Sequence, residues 1–222
     1  MSTTQRTQTP KWLNISISLF IIGLALLFIV SLGIQSSTGL VALDQPALQW
    51  LAHYRTDWLT TFNHIGTTLA GAEVLLVIAV VSAGVWYWRT KERFRPLLFV
   101  VSFGAAIVLG LLIKLCVARF RPTPDTMLPP LEFGYSLPSI HALGAAVFVL
   151  VLGYLLYSRR PSAGRLVIWL STAFGVTFLA ALTRLYLGYH WFSDIITSVG
   201  LALITLAVVI LVDTYYLSRK KS

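Results

Sequence analysis

Three short stretches set cations, imidazoles and a carboxylate into an otherwise apolar chain: KLCVARFRP (residues 114–122), LPSIHA (137–142) and TRLYLGYHWFSD (183–194). Lys114, Arg121 and Arg184 are the residue types that surround a phosphate, since guanidinium offers planar paired donors and ammonium a compact charge. Pro138 and Ser139 read as a helix start with Ser139 at the N-cap. The backbone N–H groups of Ile140 and His141 would then face an anion and add the helix dipole. His190 and Asp194 are four residues apart. They share a face if the last helix starts at or before His190; otherwise a turn has to join them. An aspartate on one ring nitrogen fixes the tautomer and leaves the other a better nucleophile. His141 remains to protonate a leaving oxygen. Singly, each residue has an ordinary alternative: an arginine at lipid headgroups, a structural histidine, an aspartate capping a helix. Those alternatives would have to hold across all three stretches at once.

The elements that position these groups must cross a membrane. The chain of 222 residues is 57% hydrophobic and 11% charged, beyond the range of a soluble domain. Its apolar runs predict six transmembrane helices in one all-α bundle, over Leu13–Ile34, Ala70–Trp88, Pro96–Val117, Ile140–Tyr157, Leu166–Leu185 and Ile195–Tyr216. The expected organisation is a single domain over 1–222, with cytoplasmic tails at 1–12 and 217–222 and a long outer connection at 35–69. No cleavable leader is read from the first run. Arg6, Lys11, Arg89, Lys91, Arg93, Arg95, Arg159, Arg160, Arg165, Arg219, Lys220 and Lys221 fall on one side, twelve of the 17 basic residues. The positive-inside rule makes that side cytoplasmic, with both termini inside; the expected location is multi-pass in the plasma (inner) membrane. Trp86, Tyr87, Trp88, Tyr215 and Tyr216 are expected at the inner interface, and Trp50, Trp58, Tyr189 and Trp191 at the outer one.

All three chemical stretches then meet on the outer, periplasmic side. Of the remaining cations, Arg55 sits in the first outer connection. Lys114, Arg119, Arg121 and Arg184 end helices there, which suggests an anion site. From Asp44, read as a cap, with Pro46 in the first turn, the first connection predicts an amphipathic helix. Leu43, Ala47, Trp50, Leu51 and Tyr54 recur along it at helical spacing. Lying on the leaflet and packing on the bundle mouth are both open. His53 and His64 are read as packing or interfacial histidines. The net charge of +9 comes without a basic and aromatic interleaved run, so nucleic acid is set aside. Cys116 is the single cysteine and excludes an internal disulfide. It also precedes Arg121 by five positions where a cysteine-phosphatase loop needs six.

At these residues the chain resembles the type-2 phosphatidic acid phosphatase family, which includes lipid phosphate phosphatases and soluble bacterial acid phosphatases. The family pattern is K-x6-R-P, then P-S-G-H, then S-R-x5-H-x3-D. Lys114 with Arg121-Pro122, Pro138-Ser139-Ile140-His141, and Thr183-Arg184 with His190 and Asp194 follow it, with Ile140 for glycine and Thr183 for serine. The resemblance implies that His190 attacks phosphorus and forms a phosphohistidine. Asp194 would orient it, and His141 would protonate the leaving group and then activate water. Lys114, Arg121, Arg184, Ser139 and the Ile140 N–H would hold the phosphoryl oxygens. No metal and no other cofactor is implied. Ile140 resists positive φ and adds bulk beside the phosphate; in a first helical turn its φ is negative and its N–H still points at the anion.

The leading expectation is a metal-independent membrane phosphatase acting on a lipid phosphate or diphosphate. Phosphatidylglycerophosphate and undecaprenyl diphosphate are favoured, and phosphatidic acid stays open. The expected partners are that substrate and membrane lipids. The alternatives are a lipid phosphotransferase, and a lipid-phosphate binding or transport protein weakened as a catalyst by Ile140.

Overall fold

The structure, a computed structural model, describes residues 8–219. Arg6, Lys220 and Lys221, counted above toward one side, lie outside the described residues. Among the described residues there are eight α-helices: α1 Gln8–Ser36, α2 Asp44–His53, α3 Asp57–Leu69, α4 Ala72–Thr90, α5 Phe94–Val117, α6 Ile140–Tyr157, α7 Ala163–Tyr186 and α8 Phe192–Arg219. Six of them, all but α2 and α3, are long and apolar enough to span a membrane. A helix satisfies its own backbone groups, which is why apolar runs of this length take this form in lipid. The spans match those expected within a few residues. The largest shift is at α1, which starts at Gln8 instead of Leu13; α7 starts at Ala163 instead of Leu166, and α8 at Phe192 instead of Ile195.

The bundle core is built mainly by α6 and α8, through Leu143, Val147, Val151, Leu155, Leu201, Leu206 and Ile210. The first and last spans pack closely. A Cβ on Gly23 would stand 2.6 Å from the Gly200 carbonyl oxygen, so glycine lets the two backbones meet. The Ser16 hydroxyl donates to the Ala207 carbonyl across the same seam, at 2.8 Å.

The first connection packs on the bundle mouth. Its helix α2 buries Asp44, Leu48 and Leu51, at the i, i+4, i+7 spacing of one helical face. Leu43, Trp50 and Tyr54 of the expected apolar stripe are exposed, so the stripe read from sequence is mostly the outward face. Asp44 does not cap its own helix, which begins after Leu43 with no side-chain cap. Arg55 ties this connection down by donating to the carbonyls of Tyr186, at 2.9 Å, and Thr126, at 2.9 Å.

At the other end of the bundle, Arg95 is not a loop cation. It lies within α5, 5% exposed, and its guanidinium grips both oxygens of Asp213 on α8, at 2.9 and 2.8 Å. The Tyr154 hydroxyl on α6 donates to the same carboxylate, at 3.1 Å. One buried ion pair therefore joins three spans. Removing one partner strands the other charge, which costs about 3–5 kcal/mol, whereas an apolar replacement of both can be neutral. Asp213→Ala is expected to lower thermal stability in detergent by that amount, and Arg95→Met with Asp213→Leu to recover most of it.

Candidate active site

The site grows from three chain turns at one end of the bundle. Helix α5 ends at Ala118, whose left-handed φ of 50° breaks the spiral. The chain then runs extended, with Phe120 bridged to Tyr135. Alternate residues of an extended segment point the same way. Arg119 and Arg121 accordingly turn inward while Phe120 is 81% exposed. The second turn leads into α6, where Ser139 is the N-cap and accepts from the Ala142 N–H at 3.4 Å. The third links α7 to α8 through Gly188, at φ +78°, where a Cβ would stand 2.4 Å from the Thr126 carbonyl oxygen. Only glycine fits there without strain.

His190 and Asp194 meet through that last turn and not along a helix, because α8 starts after His190. Nδ1 of His190 lies 3.3 Å from Oδ2 of Asp194. The same carboxylate oxygen accepts the Trp191 N–H at 2.9 Å. Nη1 of Arg121 lies 3.2 Å from Nε2 of His190. A guanidinium can only donate, so Nε2 is the acceptor and the ring proton sits on Nδ1, facing Asp194. His190 is 2% exposed. Burial, then the charges of Arg184, Arg121 and Lys114, hold its pKa well below the ordinary imidazole value, with Glu132 opposing them. The ring is neutral and its outward nitrogen carries a lone pair.

The cations gather around that nitrogen. Arg121 also donates to the Tyr189 carbonyl at 2.6 Å. Arg184, 1% exposed, donates to the Thr67 hydroxyl of α3 at 2.7 Å and lies over the Tyr189 ring, 4.6 Å from its centroid. Tyr189 is thus a buried platform and not the interfacial residue expected. Lys114 donates to the carbonyls of Tyr135, at 2.8 Å, and Ser136, at 3.2 Å. The Nε–H groups of Arg121 and Arg184 are buried without a partner. His141 is half-buried at the start of α6, its ring beside Gly71 at the start of α4. Ser198 of α8 donates to the carbonyls of Ser139, at 3.0 Å, and Asp194, at 2.8 Å, locking the second motif to the third.

Glu132, in the loop between the first two motifs, is not among the residues that the motif spacing singles out. Its carboxylate spans the two guanidiniums, 2.5 Å from Arg184 and 3.0 Å from Arg121. Burial alone would raise its pKa, but the charge and hydrogen bond of Arg184, with Arg121, carry it below the usual carboxylate value. Arg119 leaves the anion-binding group in which its position had suggested it belongs. It lies behind the histidine, between Asp44, at 2.6 Å, and Asp194, at 2.7 Å. The Thr183 hydroxyl turns to the Ala180 carbonyl of its own helix, at 2.8 Å. Among the described residues no three His, Cys, Asp or Glu side chains gather as a metal would need.

Residues 95–217 match the PAP2 superfamily over more than half of the chain. The chain belongs to that superfamily. It is 25% identical over 189 residues to phosphatidylglycerophosphatase B of Bacillus subtilis (strain 168), covering 82% of this chain and 89% of that protein. The fold overlays on the crystal structure of a transmembrane PAP2-type phosphatidylglycerolphosphate phosphatase from Bacillus subtilis with a TM-score of 0.75 and 25% identity, over 89% of this chain and 95% of that one. The Aquifex aeolicus LpxE structure shares the fold at a TM-score of 0.55 and 18% identity, over 76% and 94% of the two chains.

Ile140, at the superfamily's glycine position, is the first residue of α6 and is not among the residues with positive φ. Its side chain turns into the bundle, where a Cβ on Gly110 of α5 would stand 3.0 Å from its Cδ1. The bulk is absorbed by a glycine on the neighbouring span. Ile140→Gly is therefore expected to lower stability by about 1–3 kcal/mol through lost packing. It should change turnover by less than about tenfold, about 1.4 kcal/mol in the barrier. Thermal melting and steady-state rates of the purified variant check both.

Proposed function

We propose that this membrane lipid phosphatase hydrolyses phosphatidylglycerophosphate through a phosphohistidine on His190, without a metal, at the outer face of the plasma membrane. The observation that carries the reading is the state of His190. Its Nδ1–H faces Asp194 and its Nε2 lone pair faces Arg121 at 3.2 Å, beside a cluster of cations. Nε2 attacks phosphorus as the bond to the glycerol oxygen breaks, and His141 gives that oxygen a proton. A water then yields a proton to His141, its oxygen displaces Nε2, and inorganic phosphate leaves. Lys114, Arg121, Arg184 and the N–H groups that follow Ser139, including that of Ile140, hold the phosphoryl oxygens. They supply the positive charge that a metal supplies in other phosphatases. Glu132 has to leave the two guanidiniums as the phosphate arrives, since a dianion and a carboxylate cannot share them.

The substrate choice is supported by the Bacillus subtilis matches in sequence and in structure, which are named for phosphatidylglycerophosphate and are matched over most of their length. The outer location is supported by the sequence charge count. The packing of Ile140 against Gly110 supports a catalytic reading over that of a weakened binding protein.

Purified protein in EDTA is expected to release phosphate from phosphatidylglycerophosphate faster than from undecaprenyl diphosphate or phosphatidic acid. Rapid quenching should trap an acid-labile phosphate on the wild type. His190→Ala is expected to lose that adduct and at least about 10³-fold in turnover. Near-normal release by the variant would remove His190 from the role, and loss of activity in EDTA would overturn the metal-free chemistry. Cysteine at Phe133, 84% exposed, should react with an impermeant thiol reagent in intact cells in a Cys116→Ser background, and cysteine at Pro161 should not. The reverse pattern would place the site inside.

A further inference from the structure

We propose that Asp44 and Arg119 are positioning residues for this reaction. With Asp194 they form a buried carboxylate–guanidinium–carboxylate chain that orients His190 and keeps a negative charge behind it. The inference rests on the reading of His190 as nucleophile.

Asp44 is 4% exposed and Asp194 0% exposed. Nη2 of Arg119 lies 2.6 Å from Oδ2 of Asp44, and Nη1 lies 2.7 Å from Oδ1 of Asp194. That second contact takes one oxygen of Asp194 and leaves the other for His190. Ser193 closes the chain. Its hydroxyl accepts from Arg119 at 2.7 Å and donates to Asp44 at 2.8 Å, while its N–H donates to Asp44 Oδ1 at 2.8 Å. Asp44 therefore holds the N-terminal turn of α8, the turn that carries Asp194, from a helix about 150 positions away in the chain. Its carboxylate at that helix start is also favoured by the dipole.

Arg119 is two residues from Arg121 on the same extended segment, and both side chains turn inward. One holds Asp194 from behind and the other meets Nε2 in front. The His–Asp pair is thus gripped from both ends by one strand of chain. Asp44 lies outside residues 95–217, the part that matches the superfamily.

Charge gives Asp44 its second role. When Nε2 bonds to phosphorus, the ring becomes cationic and needs a net negative charge at Asp194. Arg119 alone would cancel that charge. Asp44 restores the trio to a net charge of minus one. Removing Arg119 instead leaves two buried carboxylates with no cation between them, which disfavours keeping both ionised.

Asp44→Asn is the selective test. Either orientation of the amide sets an N–H against a donor, Arg119 or the Ser193 N–H, while the shape is kept. The variant is expected to lose about 10- to 100-fold in kcat, the range seen when an outer hydrogen-bond partner of a metal-bound imidazole is removed. KM for phosphatidylglycerophosphate should stay within about threefold, because the phosphate-holding cations are untouched. Nitrogen NMR of ring-labelled His190 should show a single Nδ1–H form in the wild type and a mixture in the variant. Arg119→Lys should fall between wild type and Arg119→Gln, since one ammonium cannot bridge two carboxylates as a fork does. A folded Asp44→Asn protein with wild-type kcat and an unchanged tautomer overturns the proposal. So does an activity loss that only follows the folded fraction. If Asp44→Asn folds poorly, Arg119→Lys carries the same readouts. The tautomer is read without turnover, so absence of a phosphate adduct on wild-type His190 would sink the nucleophile assignment separately from the positioning chain.

Discussion

A cluster of cations cannot be buried beside an imidazole unless something compensates it, and the motif-bearing end of this bundle is organised around that constraint. Arg184 is nearly inaccessible, yet it has Glu132, Thr67 and the face of Tyr189 as partners. Lys114 is met by two carbonyls. Arg121 has a carbonyl, a carboxylate and the nitrogen of His190. These contacts explain why loops that lack regular structure are nonetheless fixed. Each of these cations is held by the protein's own acceptors.

The same rule governs the opposite end, with a different outcome. Arg95 and Asp213 form a two-pronged pair sealed by Tyr154. The effect of that pair is to fix how α5, α6 and α8 meet. The two buried charge centres share α5 and α8. The spans that carry the site are therefore pinned at both ends, which suits a constellation that must keep its geometry to fractions of an ångström.

The extended segment after α5 does the most with the fewest residues. A left-handed residue at Ala118 stops the helix, and two-residue alternation then sends Arg119 and Arg121 to the two sides of the His190–Asp194 pair. In a helix, residues two apart diverge by about 200°, and the two guanidiniums could not have served one pair. The end of a span is thus part of the site's construction.

The sequence by itself determined the six spans, because apolar run length answers directly to membrane thickness. It also marked three motifs that the fold brings to one end of the bundle, and Ser139 as the cap of α6, because capping is local. Other features were decided only by tertiary structure. Asp44 reads as a cap for its own helix but serves α8, and Glu132 is an unremarked loop acid until two arginines close on it. Arg95 counts as a loop cation until Asp213 faces it. The apolar stripe of α2 points outward because Asp44 and its partners claim the inner face. In each case the partner lies far along the chain, and a buried charge is placed by whichever opposite charge the fold brings to it, which local spacing cannot encode.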